Sequence, residues 1–358
     1  MQTFLADDKH VRTIGRSIFH NNIRYLSWSC SAVEFIFEGT EVTAEIWTDW
    51  VNDEPWKEIF QPYVAVFVND ETAPCRRIAI NEGTTAYTIY ENDSSERVKI
   101  RIVKLSEAAF SKIGIAGISA DGGIVPTSPL PRRMEFIGDS ITCGFGIEGK
   151  SAEEHFHTAT ENPYINYASK TARSFGAEYN LISWSGIGVY SSDTKTDEIN
   201  NSWIMPMIYD YTDRATDGLI GTEKHTEWDF NSFVPDVIVV NLGTNDNFYT
   251  KGIAERIEGF REAYAEFIRH IREKNPDSYI ICALGMMGAE LYPAIEEAVQ
   301  SLGDSKVYTL EFDVQRDEDG IGCEQHPNYV THNKAAVKLS KKISSVTGWK
   351  YDCSVFNV

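Results

Sequence analysis

The stretch Met134-Glu135-Phe136-Ile137-Gly138-Asp139-Ser140-Ile141-Thr142 decides how the chain is read. An apolar strand runs straight into a Gly-Asp-Ser turn, which leaves a serine hydroxyl standing at the strand's end. Two later stretches have the same build. Asp236-Val237-Ile238-Val239-Val240-Asn241-Leu242 runs into Gly243-Thr244-Asn245-Asp246, and Gly322-Cys323-Glu324-Gln325-His326-Pro327 follows the last strand of the chain. A serine, an amide and a histidine at strand ends are the parts of an acyl-transfer site.

Outward from these stretches, buried strands are predicted at 133–138, 179–184, 236–242, 278–284 and 306–312. Helices are predicted between them, near 163–175, 253–274, 289–301 and 332–346. The second helix is the best marked, because Ile257, Phe260, Tyr264, Phe267, Ile268 and Ile271 recur at three- and four-residue spacing before Pro276. Strands alternating with helices imply a parallel, doubly wound sheet. Its ligand site lies beyond the C-terminal strand ends, where all three stretches sit.

The chain before residue 120 has another texture. Val33-Glu34-Phe35-Ile36-Phe37, Val42-Thr43-Ala44-Glu45-Ile46-Trp47, Tyr63-Val64-Ala65-Val66-Phe67-Val68 and Val98-Lys99-Ile100-Arg101-Ile102-Val103 alternate polar and apolar residues. Glu38-Gly39-Thr40, Asn69-Asp70-Glu71 and Glu91-Asn92-Asp93-Ser94-Ser95 are read as breaks between strands. Strands this frequent, with no helices between them, predict an all-β sandwich. Ala120-Asp121-Gly122-Gly123 with Pro126, Pro129 and Pro131 reads as a linker, giving domains 1–125 and 126–358. The segment 191–232 is long for a connection and is read as a short helix or rim element.

Composition narrows the function. The 33 Lys+Arg against 53 Asp+Glu in 358 residues give a net charge of −20, which disfavours nucleic acid and anionic membranes as partners. A neutral substrate is the easier ligand. The first residues lack the basic-then-apolar order of a secretory signal, so the chain as it stands reads as cytoplasmic, and as secreted if a leader has been removed. Six cysteines (Cys30, Cys75, Cys143, Cys282, Cys323 and Cys353) match no metal-binding spacing, and free thiols are expected.

Ser140 is the candidate nucleophile and needs a base within hydrogen-bond reach. Of eight histidines, His326 stands between the last strand and a helix start, so it is the candidate. A tetrahedral intermediate then needs donors for its oxyanion. The Asn245 side chain and the backbone N–H groups of Ser140 and Gly186 are the candidates. No metal or organic cofactor is expected, because the chemistry calls for none and no ligand spacing appears.

The blocks Gly138-Asp139-Ser140, Gly186, Gly243-Thr244-Asn245-Asp246 and His326 occur in the order found in the SGNH (GDSL) hydrolases, and the chain resembles that superfamily. More narrowly it resembles carbohydrate esterase family two, through Ile137-Gly138-Asp139-Ser140-Ile141-Thr142-Cys143-Gly144, Ser185-Gly186-Ile187-Gly188-Val189-Tyr190 and Gly322-Cys323-Glu324-Gln325-His326-Pro327. The resemblance covers nearly the whole chain. It implies a jelly-roll sandwich joined to a flavodoxin-like, three-layer α/β hydrolase domain, with acetylated plant polysaccharides or oligosaccharides as substrate. It also implies Ser140 as nucleophile, His326 as base, and Ser140, Gly186 and Asn245 as oxyanion donors.

One position departs from the pattern. Where these hydrolases usually place an aspartate, three residues before the histidine, this chain has Cys323. Glu324, two residues before it, or a local carbonyl is then expected to orient His326, with the Glu324 carboxylate slightly favoured. Gln325 replaces an aromatic sugar platform, so Tyr190 is taken as a substrate-binding candidate. Cys143 and Cys323 flank the Ser140 and His326 pair symmetrically, which raises a disulfide as an option. Two other readings stay open: an SGNH esterase, lipase or thioesterase acting on non-carbohydrate acyl esters, and a carbohydrate-binding protein without catalysis. Trp28, Trp47, Trp50 and Trp56 permit glycan binding by the front domain, although a sandwich core uses such residues too.

Overall fold

A computed structural model describes residues 1–357. The chain divides into two compact units. The first holds Met1–Pro129 with His157–Glu161 and Thr212–Thr226, and the second holds Leu130–Phe156, Asn162–Tyr211 and the chain from Glu227 onward.

In the first unit ten strands join in one antiparallel sheet. The long strands Ala32–Thr48 and Gly83–Lys104 pair along their whole length, so Glu38-Gly39-Thr40 and the 91–95 stretch do not end strands as expected. They form a shared irregularity instead, where the pairing jumps from Gly39–Glu96 to Glu41–Glu91. Phe35 and Phe37 point into the core before the jump, and Val42, Ala44 and Ile46 after it. The change from odd to even positions is what an extra residue does to a period-two strand, and it keeps one apolar face inward throughout. The first half of Ala32–Thr48 also pairs with Arg12–Ile14 and Gly123–Pro126, and the second half with Ile113–Ala120. The long strands thus carry the chain from one layer of the sandwich into the other.

Asp121-Gly122 is a turn between two of these strands, not a linker. The Asp121 carboxylate accepts the backbone N–H groups of Thr40 and Glu41, and a Cβ on Gly122 would collide with the Glu38 carbonyl. The chain passes into the second unit at Pro129–Leu130, four residues beyond the expected boundary. Glu34, buried in this sheet, accepts hydrogen bonds from Arg12 (2.7 Å), Arg101 (2.6 Å) and Thr127 (2.6 Å). Burial works to raise its pKa, but the two guanidinium groups and the Thr127 hydroxyl together bring it down to about 2.

The second unit carries five parallel strands: β1 (Arg132–Gly138), β2 (Ala177–Ser183), β3 (Val237–Asn241), β4 (Tyr279–Leu284) and β5 (Val307–Glu311). Their order is β2-β1-β3-β4-β5, the flavodoxin-like arrangement, with the switch in winding direction between β1 and β3. Every residue of β3 is buried, as expected for a central strand covered on both faces.

Six helices matter here: α1 (Ser140–Cys143), α2 (Tyr167–Ser174), α3 (Asp246–Thr250), α4 (Ala254–Lys274), α5 (Tyr292–Leu302) and α6 (Tyr329–Thr347). In α4, Phe260, Tyr264, Phe267, Ile268 and Ile271 form the buried stripe that their spacing predicts. Three helices differ at their starts: α5 opens three residues late at Tyr292, and asparagines cap the other two. Asn166 accepts the Ser169 N–H and opens α2 four residues late, and Asn328 accepts the Val330 and Thr331 N–H groups and opens α6 three residues early. The 191–232 segment holds two short helices, Met205–Ile208 and Arg214–Ile220, and its 212–226 portion belongs to the first unit. Among the described residues no helix is long and apolar enough to cross a membrane.

Candidate active site

The switch between β1 and β3 brings the candidate residues together. Gly138 ends β1 and lies so close to the following turn that a Cβ there would fall on the Thr142 hydroxyl. The Asp139 side chain accepts the Ile141 N–H at 3.0 Å, which starts α1, and Gly144 closes it in a left-handed conformation (φ 73°). Ser140 is held at the first helical position, 7% exposed.

Its hydroxyl oxygen lies 2.9 Å from His326 Nε2, and His326 Nδ1 lies 3.0 Å from the backbone carbonyl of Glu324. A carbonyl can only accept, so Nδ1 carries the ring proton and Nε2 presents its lone pair to the Ser140 hydroxyl. The chain reaches this geometry by doubling back. Glu324 (φ 48°) and Gln325 (φ 65°) are both left-handed without being glycine, a conformation costing on the order of 1–3 kcal/mol each that the surrounding structure must enforce.

The Glu324 carboxylate, slightly favoured from sequence as the orienting acid, is elsewhere. It accepts the Phe156 N–H at 3.2 Å and lies 3.8 Å from the exposed His155 ring. The left-handed turn points the residue's carbonyl at the imidazole, so its side chain leaves in another direction. Cys323, at the usual aspartate position, is fully buried and its N–H donates to the Gly146 carbonyl. Cys143 is buried as well, and all six cysteines are free, so the flanking pair forms no disulfide.

Two phenylalanines missed in the sequence support the histidine. Phe145 lies 4.3 Å from the His326 ring and stacks on Phe156 at 3.7 Å. These apolar surroundings disfavour the imidazolium and push the His326 pKa down to about 4, against the opposing pull of the Glu324 carbonyl. The residue as a whole is half-buried. The only trace of the pair in the sequence is apolar residues in an otherwise polar 144–157 loop.

The oxyanion candidates converge from three loops. Among the described residues neither the Ser140 nor the Gly186 N–H donates to a protein acceptor. Gly186 is left-handed (φ 80°), which a side chain would oppose. Asn245 is buried and does not cap its own helix; its Nδ2 donates to the Ile187 carbonyl at 2.9 Å, with Asp139 Oδ2 at a long 3.4 Å. One amide hydrogen is thus firmly held and the other only loosely.

Asp246, also missed, holds this arrangement from behind. Its buried carboxylate accepts the N–H groups of Val189 (3.1 Å), Tyr190 (2.7 Å) and Ser191 (2.9 Å), tying the Gly186 loop to the turn that bears Asn245. Burial pushes its pKa up to about 6 against those three donors. The available signal was a second acid directly after Asn245 facing a glycine-rich loop. The same bonds fix the main chain of Tyr190, the substrate-binding candidate. Its half-buried ring packs 5.8 Å from Tyr249 and over Gly259 of α4, where a Cβ would stand 2.6 Å from its hydroxyl.

Comparison with known proteins agrees with this architecture. Residues 136–306 match the GDSL-like lipase/acylhydrolase family, and residues 13–129 match the carbohydrate esterase 2 N-terminal family. A solved family two carbohydrate esterase from Clostridium thermocellum, in complex with cellohexaose, superposes with a TM-score of 0.82 at 31% identity, over 95% of this chain and 99% of that one. The chain belongs to carbohydrate esterase family two. Its fold and its class, that of carboxylic ester hydrolases, follow from this membership. The family two chain is also 33% identical to a cellulase/esterase of Acetivibrio thermocellus over 90% of its own length, but it spans only 38% of that larger protein. An acetylxylan esterase/glucomannan deacetylase of Cellvibrio japonicus is 24% identical, over 97% of this chain and 92% of that protein.

Proposed function

We propose that the protein removes O-acetyl groups from plant-type oligosaccharides or polysaccharides, of the xylan, mannan or glucan kind, through an acyl-enzyme. The observation carrying this reading is the 2.9 Å contact between Ser140 Oγ and a His326 Nε2 whose other nitrogen is fixed by a carbonyl. Ser140 attacks the acetyl carbonyl while His326 takes its proton, and the oxyanion forms facing the Ser140 N–H, the Gly186 N–H and Asn245. His326 then protonates the departing sugar oxygen. In the second step it takes a proton from water, hydroxide attacks the acetyl-serine, and acetate leaves as the proton returns to Ser140 Oγ. The Glu324 carbonyl keeps the ring in the working tautomer at each stage, so a dyad with a carbonyl replaces a triad with an acid. Neither step draws on a metal.

The relatives support the choice of carbohydrate, one being named for acetylxylan and glucomannan and another holding cellohexaose in its complex. The net charge of −20 favours a neutral substrate in the same sense. Mass spectrometry of acetylated xylo- and manno-oligosaccharides before and after incubation tests the proposal. The expected result is stepwise loss of acetyl mass units with the native protein and none with Ser140→Ala. Intact acetyl groups on both substrates would reject it.

A further inference from the structure

A pocket of about 230 Å³ opens beside the turn that carries Asn245, between the loops that follow β3 and β4. We infer that it is a subsite for one neutral pyranose ring of the substrate, next to the ring that bears the acetyl group; this rests on the carbohydrate esterase reading above.

Its walls come from Thr244, Asn247 and Phe248 on one side and from Leu284, Met287 and Glu290 on the other. Pockets for drug-sized ligands run to roughly 300–1,000 Å³, so this one holds a single small ring. Its chemistry is two-sided. Phe248 is 51% exposed, too much for a residue whose task is packing, while Leu284 is almost fully buried and forms the floor. Such a surface suits the C–H face of a sugar.

Polar groups without partners line the same space. Among the described residues the exposed Glu290 carboxylate accepts no hydrogen bond from the protein, and the half-buried Asn247 amide nitrogen donates none. An acyl chain entering here would displace water from the Asn247 amide and offer it no partner. The hydroxyls of a pyranose would donate to the carboxylate and pair with the amide. The uncompensated Glu290 and the acidic chain repel a uronic acid, which restricts the ring to a neutral sugar.

The test uses the full chain and the variants Phe248→Ala and Glu290→Gln. Acetate release from acetylated oligosaccharides of three or more residues is measured as kcat/KM beside hydrolysis of 4-nitrophenyl acetate, which carries no sugar. The ratio of the two is expected to fall at least tenfold in Phe248→Ala and severalfold in Glu290→Gln, mainly through KM, with the ratio of 4-nitrophenyl butyrate to acetate hydrolysis unchanged. Equal losses on sugar and nitrophenyl substrates, no loss on either, or a shifted butyrate preference would each overturn the subsite. Calorimetric titration with unacetylated xylotriose, mannotriose and cellotriose separates this inference from the broader one. If the native protein deacetylates no oligosaccharide, the esterase reading fails on its own. Triose binding that is lost in Phe248→Ala would then still support the pocket, and binding that is absent or equal in both proteins would reject it.

Discussion

Replacing Glu324 by alanine removes a carboxylate and leaves a carbonyl, and the two possible orienting groups for His326 predict very different rates. The Glu324 side chain makes one hydrogen bond, to the Phe156 N–H at 3.2 Å, and is half exposed. Such a bond contributes about 0.5–1.5 kcal/mol. With 1.36 kcal/mol per tenfold in rate, even its complete loss to the transition state slows turnover only about two- to thirteen-fold. Loss of an acid that holds the working tautomer costs about 10⁴-fold in kcat. Roughly three orders of magnitude separate the outcomes. The assay is kcat/KM on 4-nitrophenyl acetate at neutral pH for Glu324→Ala, Ser140→Ala and His326→Ala, with circular dichroism melts to verify folding. Glu324→Ala is expected to stay within about tenfold of the native protein, while the other two fall by about 10⁴ or more. A folded Glu324→Ala protein that loses a thousandfold would refute the carbonyl as the orienting group.

Three further outcomes follow. Burial lowers the His326 pKa to about 4, so the base stays neutral well below the usual histidine range; kcat/KM should hold level from neutral pH to about 5 and halve near 4, and a midpoint near 6.5 would contradict the apolar environment assigned to the ring. Asn245→Ala should lower kcat by about 10²–10³ with little change in KM, as loss of one oxyanion donor does, and a drop below fivefold would remove Asn245 from that role. Glu34→Gln leaves Arg12 and Arg101 facing a neutral group in a buried site, and denaturant melts at pH 7 should show a loss of about 3–5 kcal/mol. Since the folded pKa of Glu34 is depressed to about 2, its stabilisation is complete above pH 4.5 and fades as pH falls toward 2, so the gap between variant and native protein should close over that window.

Much of the fold was legible because its signals are local. Apolar runs ending at Gly138 and Leu242 marked strands, and three- and four-residue spacing marked α4. The pairing of Ser140 with His326 was legible because both residue types stood at strand ends of one parallel sheet. What sequence left undecided was backbone chemistry, since a local carbonyl and the Glu324 carboxylate both stood as options behind His326. Nothing in the residue names Glu324-Gln325 announces two consecutive left-handed residues, and without them the carbonyl cannot be placed against the ring. Gly39 read as a break because glycine also serves bulges, and only the buried parity of Phe37 against Val42 separates the two cases. The anchoring of the Tyr190 main chain was not legible because it depends on a carboxylate 56 residues away in sequence.

The carbonyl behind His326 belongs to the main chain and not to any side chain, and this changes how the site is inherited. Any residue that tolerates the left-handed turn at position 324 supplies the same acceptor, so point mutation cannot delete it and drift at that position leaves it intact. A survey that recognises catalytic sites by residue type would count this one as incomplete. Altering the group itself requires changing the backbone, for instance by replacing the amide between residues 324 and 325 with an ester, whose weaker carbonyl acceptor would loosen the imidazole while every side chain stayed the same.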